Sequence, residues 1–178
     1  MGAQLLPGAS WALLGVSAAT LAERHAPLRD FWGEAVDELH ARLARADTPD
    51  ARLAVLERSL LAQLRPVAPL AAEVDHAIAA LDRGADLRDV LAQASCSHRH
   101  FIARFRDATG LAPKRYARLR RFQRVLAQVD GRSDWSGLAA EHGYFDQAHL
   151  ARDFRQFAGL PARCYRDGRL HPRHVRVD

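Results

Sequence analysis

The sequence has few cysteines, and neither of the two has partners at the spacing that a structural site needs. Cys96 and Cys164 are too few for a disulfide framework, and no spaced set of cysteines and histidines predicts a structural zinc site. No run reaches the roughly 18 to 20 apolar residues of a membrane span, and the start of the chain lacks the cationic region of a secretory signal. These absences predict a soluble, cytoplasmic protein with reduced thiols.

Lysine is nearly absent, since Lys114 is the one lysine among 26 cationic residues. The charge is also uneven along the chain. Residues 1–85 hold 8 cationic and 11 acidic side chains, whereas residues 86–178 hold 18 and 10. A basic half beside a mildly acidic one predicts a polyanionic partner for the C-terminal part alone. The planar arginine fork suits phosphates and the edges of guanine.

Motifs that would support catalysis are missing as well. The sequence has no glycine-rich phosphate loop and no paired-carboxylate motif. His98 and His100 lie two residues apart and point in different directions on a helix, unlike the i, i+4 pair that chelates zinc. Cys96 falls in a predicted turn and is expected to be a small core residue, and Cys164 is expected to be inert. We therefore predict no enzyme activity, no metal site and no cofactor.

What the chain does have is one pattern written twice within residues 87–166. Each copy reads as a short apolar helix, a tight turn and a second helix that carries arginines and two large apolar residues four positions apart. These anchors are Phe101 and Phe105 in the first copy and Leu150 and Phe154 in the second. The pattern predicts two tandem helix-turn-helix units, each with a helix that can lie in a DNA groove.

Cap and turn residues mark the ends of these helices. Side chains that can accept hydrogen bonds from a first turn, and glycines that tolerate a left-handed backbone, stand at the expected positions. The predicted caps are Asp86, Ser97, Ser133 with Ser136, and Asp146; the predicted turn or stop residues are Gly110, Asp130-Gly131, Gly143 and Gly159. Pro113 is predicted to start a long connecting helix that buries Tyr116, Leu119, Phe122, Val125, Leu126 and Val129.

The first half of the chain contains three sets of apolar residues at helical spacing. The first two predict an antiparallel helical hairpin over residues 28–64 with its break at Thr48-Pro49, and the third predicts a helix that stops at Arg83-Gly84. The sets are Leu28, Trp32, Val36, Leu39 and Leu43; then Leu53, Leu56, Leu60 and Leu64; then Leu70, Val74, Ile78 and Leu81. The stretch before Pro27 shows neither helical nor strand period. The hairpin either packs on the neighbouring helix or forms a homodimer contact.

The predicted fold is therefore all-α, with tandem homeodomain-like helix-turn-helix units joined by a long connecting helix and preceded by a helical hairpin. The predicted divisions are a helical N-terminal region at 1–66, a DNA-binding domain at 67–170 with helix-turn-helix units at about 86–109 and 134–158, and a basic tail at 171–178.

The two second helices of these units predict the DNA-facing residues. Glutamine and arginine can each make bidentate contacts with base edges, and alanines let the backbone approach closely. The predicted residues are His98, Arg99, Ile102, Ala103 and Arg106 on the first helix, and Gln147, Ala148, His149, Ala151, Arg152 and Arg155 on the second. The second helix has more side chains that end in polar groups, and we expect it to make more of the sequence-specific base contacts. For the first we expect apolar contact with thymine methyl groups or a mainly positioning role.

Six cations follow one another along the connecting helix and cannot all face one way at helical spacing. They are Lys114, Arg115, Arg118, Arg120, Arg121 and Arg124. Some are expected to form ion pairs, and Lys114 and Arg115, near the helix N-terminus, are the predicted phosphate contacts.

Residues 72–166 resemble the DNA-binding domain of the AraC/XylS family of bacterial transcription regulators. The segment Gly-Tyr-Phe-Asp-Gln-Ala-His-Leu-Ala-Arg-Asp-Phe-Arg-Gln-Phe-Ala-Gly-Leu-Pro at 143–161, followed by Tyr165-Arg166, is similar to the signature of that family. The resemblance implies that two recognition helices enter successive major grooves on one face of DNA. It also assigns base-facing places to Arg99 and Ala103 on the first helix, and to Gln147, Ala148, Ala151 and Arg152 on the second.

The chain departs from the family pattern at two points. Ala103 stands where the family commonly has arginine, which weakens the expected base reading by the first unit. Residues 1–65 resemble only the end of an N-terminal regulatory region without its β-rich sensing part. The prediction is a sequence-specific regulator of transcription that binds double-stranded DNA, and the alternative is a modulator that binds another regulator or RNA polymerase.

Overall fold

The computed structural model of the chain describes residues 2–129 and 134–162. Every regular element within these residues is an α-helix, which confirms the all-α prediction. The helices are α1 (Ala9–Leu14), α2 (Ala18–Leu21), α3 (Arg29–Trp32), α4 (Ala35–Arg45), α5 (Pro49–Ala62), α6 (Ala72–Arg83), α7 (Leu87–Ala92), α8 (His98–Thr109), α9 (Pro113–Gln128), α10 (Trp135–Glu141) and α11 (Gln147–Ala158). The predictions for Asp130-Gly131, Ser133, Cys164, Tyr165-Arg166 and the tail at 171–178 lie outside the described residues.

The chain packs as two compact units that are each discontinuous in sequence. Of the described residues, the first unit contains those up to Ile78 together with Ala94–Ala112, and the second contains Ala79–Gln93 and those from Pro113 onward. The two helices of the first predicted helix-turn-helix are thus assigned to different units, α7 to the second and α8 to the first. The predicted domain division at residues 66 and 67 follows sequence character rather than packing, and it stays a prediction.

The opening stretch of the first unit is more ordered than its sequence suggests. It contains α1 and α2, although no helical period is visible before Pro27. Ser17 caps α2 by accepting a hydrogen bond from the Thr20 amide, and α2 packs along α8. The Gly8 amide also donates a hydrogen bond to the Ala108 carbonyl of α8 at 2.8 Å. Short helices of this kind are held by tertiary contacts rather than by their own periodicity.

The single helix predicted from Leu28 is interrupted. It forms α3 and α4, with Gly33 between them at φ 56°, a backbone conformation that glycine adopts readily. Trp32, the last residue of α3, is buried and its indole N–H donates to the Leu13 carbonyl at 2.8 Å. A tertiary hydrogen bond of this kind has no signature in local sequence periodicity.

The apolar set predicted for α5 is confirmed only in part, since Leu60 packs against the core cluster and Leu56 is half-buried but the two outer members are exposed. Leu53 and Leu64 are half exposed, whereas Val55 is the buried residue of this helix. Val55 joins a core cluster with Trp32, Val36 and other residues of α3 and α4. Leucines occur on more than one side of α5, so their spacing alone does not select the buried side. The predicted pairing of α4 with α5 is confirmed, since these helices pack against each other across a turn capped by Thr48.

The third predicted apolar set is confirmed by α6. Val74, Ile78 and Leu81 are buried on this helix, which ends at Arg83 just before Gly84, as predicted. Leu70 lies before the helix begins.

In the second unit, α9, α10 and α11 enclose an aromatic core. The Phe122 ring meets the Phe154 ring edge-on at a centroid distance of 4.8 Å, and Trp135 meets Phe154 in the same manner at 5.2 Å. Phe157 completes the group at 5.5 Å from Phe122. Tilted and edge-on pairs are the preferred aromatic geometries, so this cluster fixes α11 against α9.

Candidate nucleic-acid interface

Local sequence defines both ends of α8. The Ser97 side chain accepts a hydrogen bond from the His100 amide at the start, and Gly110 ends the helix at φ 78°. Phe101 and Phe105 are 1% and 0% exposed and lie with ring centroids 5.8 Å apart. The predicted cap, stop and anchors of this helix are all confirmed, and its burial fixes which face remains for a partner.

The opposite face of α8 carries the residues predicted to meet DNA. His98, Arg99, Ala103 and Arg106 are exposed, and Ile102 is half-buried. The face therefore combines two arginines and a histidine with an apolar part formed by Ile102 and Ala103.

Glu73, on α6, accepts hydrogen bonds from the turn before α8. This residue was not among those predicted from the sequence. The Ser95 hydroxyl and the Cys96 thiol donate to its carboxylate at 2.7 and 3.3 Å, and Arg104 pairs with it at 2.9 Å. The hydrogen bond from Ser95, followed by that from Cys96, lowers the pKa of Glu73. Desolvation and the same contact with Glu73 raise the pKa of the half-buried Cys96 thiol, which agrees with an unreactive residue.

The second recognition helix, α11, has the same plan. Asp146 accepts a hydrogen bond from the His149 amide at 2.6 Å, and Gly159 ends the helix at φ 70°. Leu150 and Phe154 are 1% and 0% exposed, as predicted for its anchors. Gly143 takes φ 68° in the preceding turn, which explains the glycine at this position.

The outward face of α11 carries the larger set of polar side chains. Gln147, Ala148, Arg152 and Arg155 are exposed, whereas His149 and Ala151 are half-buried. The His149 ring meets the Tyr144 ring edge-on at 5.1 Å, so it is partly engaged within the unit. The Arg152 Nε donates weakly to the Ala148 carbonyl at 3.4 Å, which leaves its guanidinium tip at the surface.

Asp153 is a second residue that the sequence analysis missed. Although it lies on a recognition helix, it is 0% exposed and pairs with Arg118 at 2.6 Å and with Arg121 at 3.7 Å. Arg121 also lies over the Tyr144 ring at 4.1 Å and donates to the Gly143 carbonyl at 3.1 Å. Burial, and after it the charge of Asp153, raises the pKa of Tyr144. One buried carboxylate thus connects α11, the connecting helix α9 and the turn before α11.

The comparison with known protein families supports this geometry. Residues 90–168 match the family model described as a helix-turn-helix domain, which is of the AraC type. This segment is an AraC-type helix-turn-helix DNA-binding domain. No curated protein and no solved structure matches the chain. The resemblance drawn from the sequence is confirmed over this segment, which supports a DNA-binding transcription regulator of the AraC type.

Most cations of the connecting helix of the AraC-type domain form ion pairs or hydrogen bonds with other residues of the protein. Besides Arg118 and Arg121, Arg120 pairs with Asp82 at 2.7 Å, and Arg124 donates to the Leu81 and Asp82 carbonyls. This confirms that the six cations do not share one face. Lys114 is exposed and Arg115 is half-buried, both in the first turn of α9.

Most of the predicted helix starts and buried residues elsewhere in the AraC-type domain are confirmed. Asp86 caps α7 and Pro113 begins α9, as predicted. The cap expected from Ser136 is wrong, because Asp134 caps α10 by accepting from the Ser136 and Gly137 amides. Predicted burial is confirmed for Tyr116, Leu119, Phe122, Val125 and Leu126, whereas Val129 lies beyond the helix and is half-buried.

Two kinds of feature are absent from the described part of the chain. Within it, no three histidine, cysteine, aspartate or glutamate side chains gather closely enough to hold a metal ion. Also within residues 2–129 and 134–162, no helix combines the length and apolar character of a membrane span.

Proposed function

We propose that this regulator reads a specific site in double-stranded DNA, with α8 and α11 lying in adjacent major grooves. The observation that carries the proposal is the outward face of α11, where Gln147, Ala148 and Arg152 are exposed on a helix fixed from behind by Phe154 and the buried Asp153. A reading helix must be held in position because base contacts depend on geometry.

The chemistry of this face suits base edges. Gln147 can make two hydrogen bonds to adenine and Arg152 can make two to guanine, while Ala148 allows close approach of the backbone. Ala151 lies beside them, and Arg155, one turn after Arg152, is placed for a phosphate. His149 retains a ring nitrogen for a further polar contact.

The face of α8 favours positioning over reading. Arg99 and Arg106 can bind phosphates or a guanine edge, and His98 stands at the helix start, but Ile102 and Ala103 offer only apolar surface. The proposed contribution of α8 is therefore affinity and register, with thymine methyl groups as the bases it can sense. Lys114 and Arg115 are proposed phosphate contacts because the amides of a helix N-terminus favour an anion at the same place.

The experiment is selection of binding sites from a random duplex library, followed by anisotropy titration of the selected duplexes at two salt concentrations. We expect a site with two short motifs about 10 base pairs apart, one helical turn of DNA. Log affinity should fall with log salt by about 0.9 per phosphate neutralised, and Lys114→Ala should reduce that slope by about one. Absence of any enriched sequence would contradict the proposal.

A second candidate function is favoured by the exposed leucines of α5 and the residues after it. Leu53, Leu61 and Leu64 are 52%, 59% and 50% exposed, which suits a protein partner better than DNA. The chain would then modulate another regulator or RNA polymerase, and its association would depend only weakly on salt. A homodimer through residues 28–64 and action in the bacterial cytoplasm also stay predictions.

A further inference from the structure

Phe145 is the most exposed large apolar side chain of the described residues, at 94%. Scattered apolar side chains are common on protein surfaces, so exposure alone assigns no role. The position of Phe145 is informative because it directly precedes Asp146, the residue that caps α11. It therefore stands at the leading end of the proposed reading helix.

The turn that displays Phe145 is fixed on both sides. Before it, Tyr144 is 5% exposed beneath the Arg121 guanidinium, and its amide donates to the Ala139 carbonyl at 2.8 Å. After it, the Asp146 carboxylate accepts from the His149 amide. These contacts fix the backbone on either side of Phe145 and therefore the direction in which its side chain leaves the turn. The exposed ring is thus a feature of the folded turn rather than of a loose end.

The chemistry around Phe145 favours DNA as the group that covers it. Its exposed neighbours Gln147 and Ala148 belong to the face proposed to read bases, and the N-terminal residues of a recognition helix are the ones that contact base edges. An aromatic ring cannot hydrogen-bond to a base edge. The major groove offers one apolar group, the 5-methyl of thymine, and phenylalanine is among the side chains that contact it.

We propose that Phe145 is a specificity-determining residue that packs on the 5-methyl group of a thymine next to the bases read by α11. The inference rests on the proposed function, since it needs a DNA duplex against this face. It adds an apolar reader to a helix whose other readers are polar. It also assigns that reader to the turn before α11 rather than to the helix itself.

The test replaces each thymine of the selected duplex, one at a time, with deoxyuridine, which lacks only the methyl group. For the unmodified protein, one replacement within the α11 half-site should weaken binding about fourfold, the effect of burying one methyl-sized group. Phe145→Ala should weaken binding to the thymine duplex by a similar factor or more, and should bind the two duplexes equally. The thermal stability of Phe145→Ala should be unchanged because the ring is exposed.

Val67→Ala is the matched control, since it removes another exposed apolar side chain, 48% exposed, between α5 and α6. It should leave both affinities and their ratio unchanged. A Phe145→Ala protein that still distinguishes thymine from deoxyuridine would overturn the inference while leaving the proposed function intact. Equal weakening on every duplex, random sequence included, would indicate contact with the sugar-phosphate backbone and would also overturn it. If the unmodified protein selects no sequence, both fail together.

Discussion

The two recognition helices share a plan and differ in how they are held. Both α8 and α11 have 12 residues, begin at a capping side chain and end at a glycine with positive φ. Both bury two large apolar side chains four residues apart. The polar support of α8 is Glu73, which is 15% exposed and pairs with Arg104 at 43%, whereas α11 carries its own carboxylate, Asp153, which is 0% exposed and pairs with Arg118 at 34%.

This difference suggests a division of labour between the helices. Ion pairs at the surface are screened by water and hold a helix weakly, while a buried pair allows few alternative geometries. The better-fixed helix is also the one with glutamine and arginine on its outward face. The buried ion pair and the residues proposed to read bases therefore occur together on α11.

The largest expected effect is on stability, and it comes from removing a buried anchor residue of either recognition helix. Phe154→Ala and Phe105→Ala should each lower the free energy of unfolding by about 3–5 kcal/mol, because each ring is fully buried. Chemical denaturation measures both losses. An unchanged stability for either variant would mean that its helix does not face the core as described.

The next effect tests the difference in support. Asp153→Ala should lower the free energy of unfolding by about 3 kcal/mol, since it leaves Arg118 and Arg121 without their buried partner. Asp153→Asn keeps the size and part of the hydrogen bonding, so it should recover part of that loss. If both variants were as stable as the unmodified protein, the buried carboxylate would have no part in fixing α11.

A smaller effect compares the outward faces. Arg152→Ala should reduce the binding free energy on the selected duplex by about 1–3 kcal/mol and relax the preference at one base pair. Arg99→Ala should weaken binding with a smaller change in sequence preference, because its neighbours Ile102 and Ala103 offer no polar readout. Anisotropy titration of both variants on selected and random duplexes measures the two effects. If Arg152→Ala lost equal affinity on both duplexes, Arg152 would not contact a base.

The smallest effect concerns Glu73. Glu73→Gln should lower Tm by less than Asp153→Asn does. The pKa of Glu73 is lowered in the folded protein, so its stabilisation is complete above the ordinary glutamate pKa and is lost as the pH falls through the folded value. The difference in Tm between Glu73→Gln and the unmodified protein should therefore shrink below about pH 4. A difference that stays constant with pH would show that the charge of Glu73 is not what matters.

The sequence sufficed to predict features with a local cause. Ser97, Asp146 and Gly110 act on amides or torsions within a few residues, and the anchors of α8 and α11 follow helical spacing. The ion pairs of Glu73 and Asp153 join residues that are 31 and 35 positions apart, and no local pattern reveals them.

Two errors have a similar cause. The buried side of α5 depends on what α3 and α4 present to it, because leucine spacing allowed more than one face. Asp134 and Ser136 are both good caps by composition, but the helix begins at Trp135, so Asp134 occupies the cap position and Ser136 lies within the first turn. The roles of the outward residues depend on a partner and stay predictions.

The contact between the opening stretch and the end of α8 affects how this molecule can be divided. The Gly8 amide satisfies the Ala108 carbonyl, and a Cβ at Gly110 would come within 3.1 Å of the Ala18 carbonyl oxygen. A chimera that exchanged only residues 90–168, the segment that matches the family model, would remove these contacts from α8. A transplantable cassette should therefore include residues 5–22, even though they lie more than 70 positions earlier in the chain than the helix they cover.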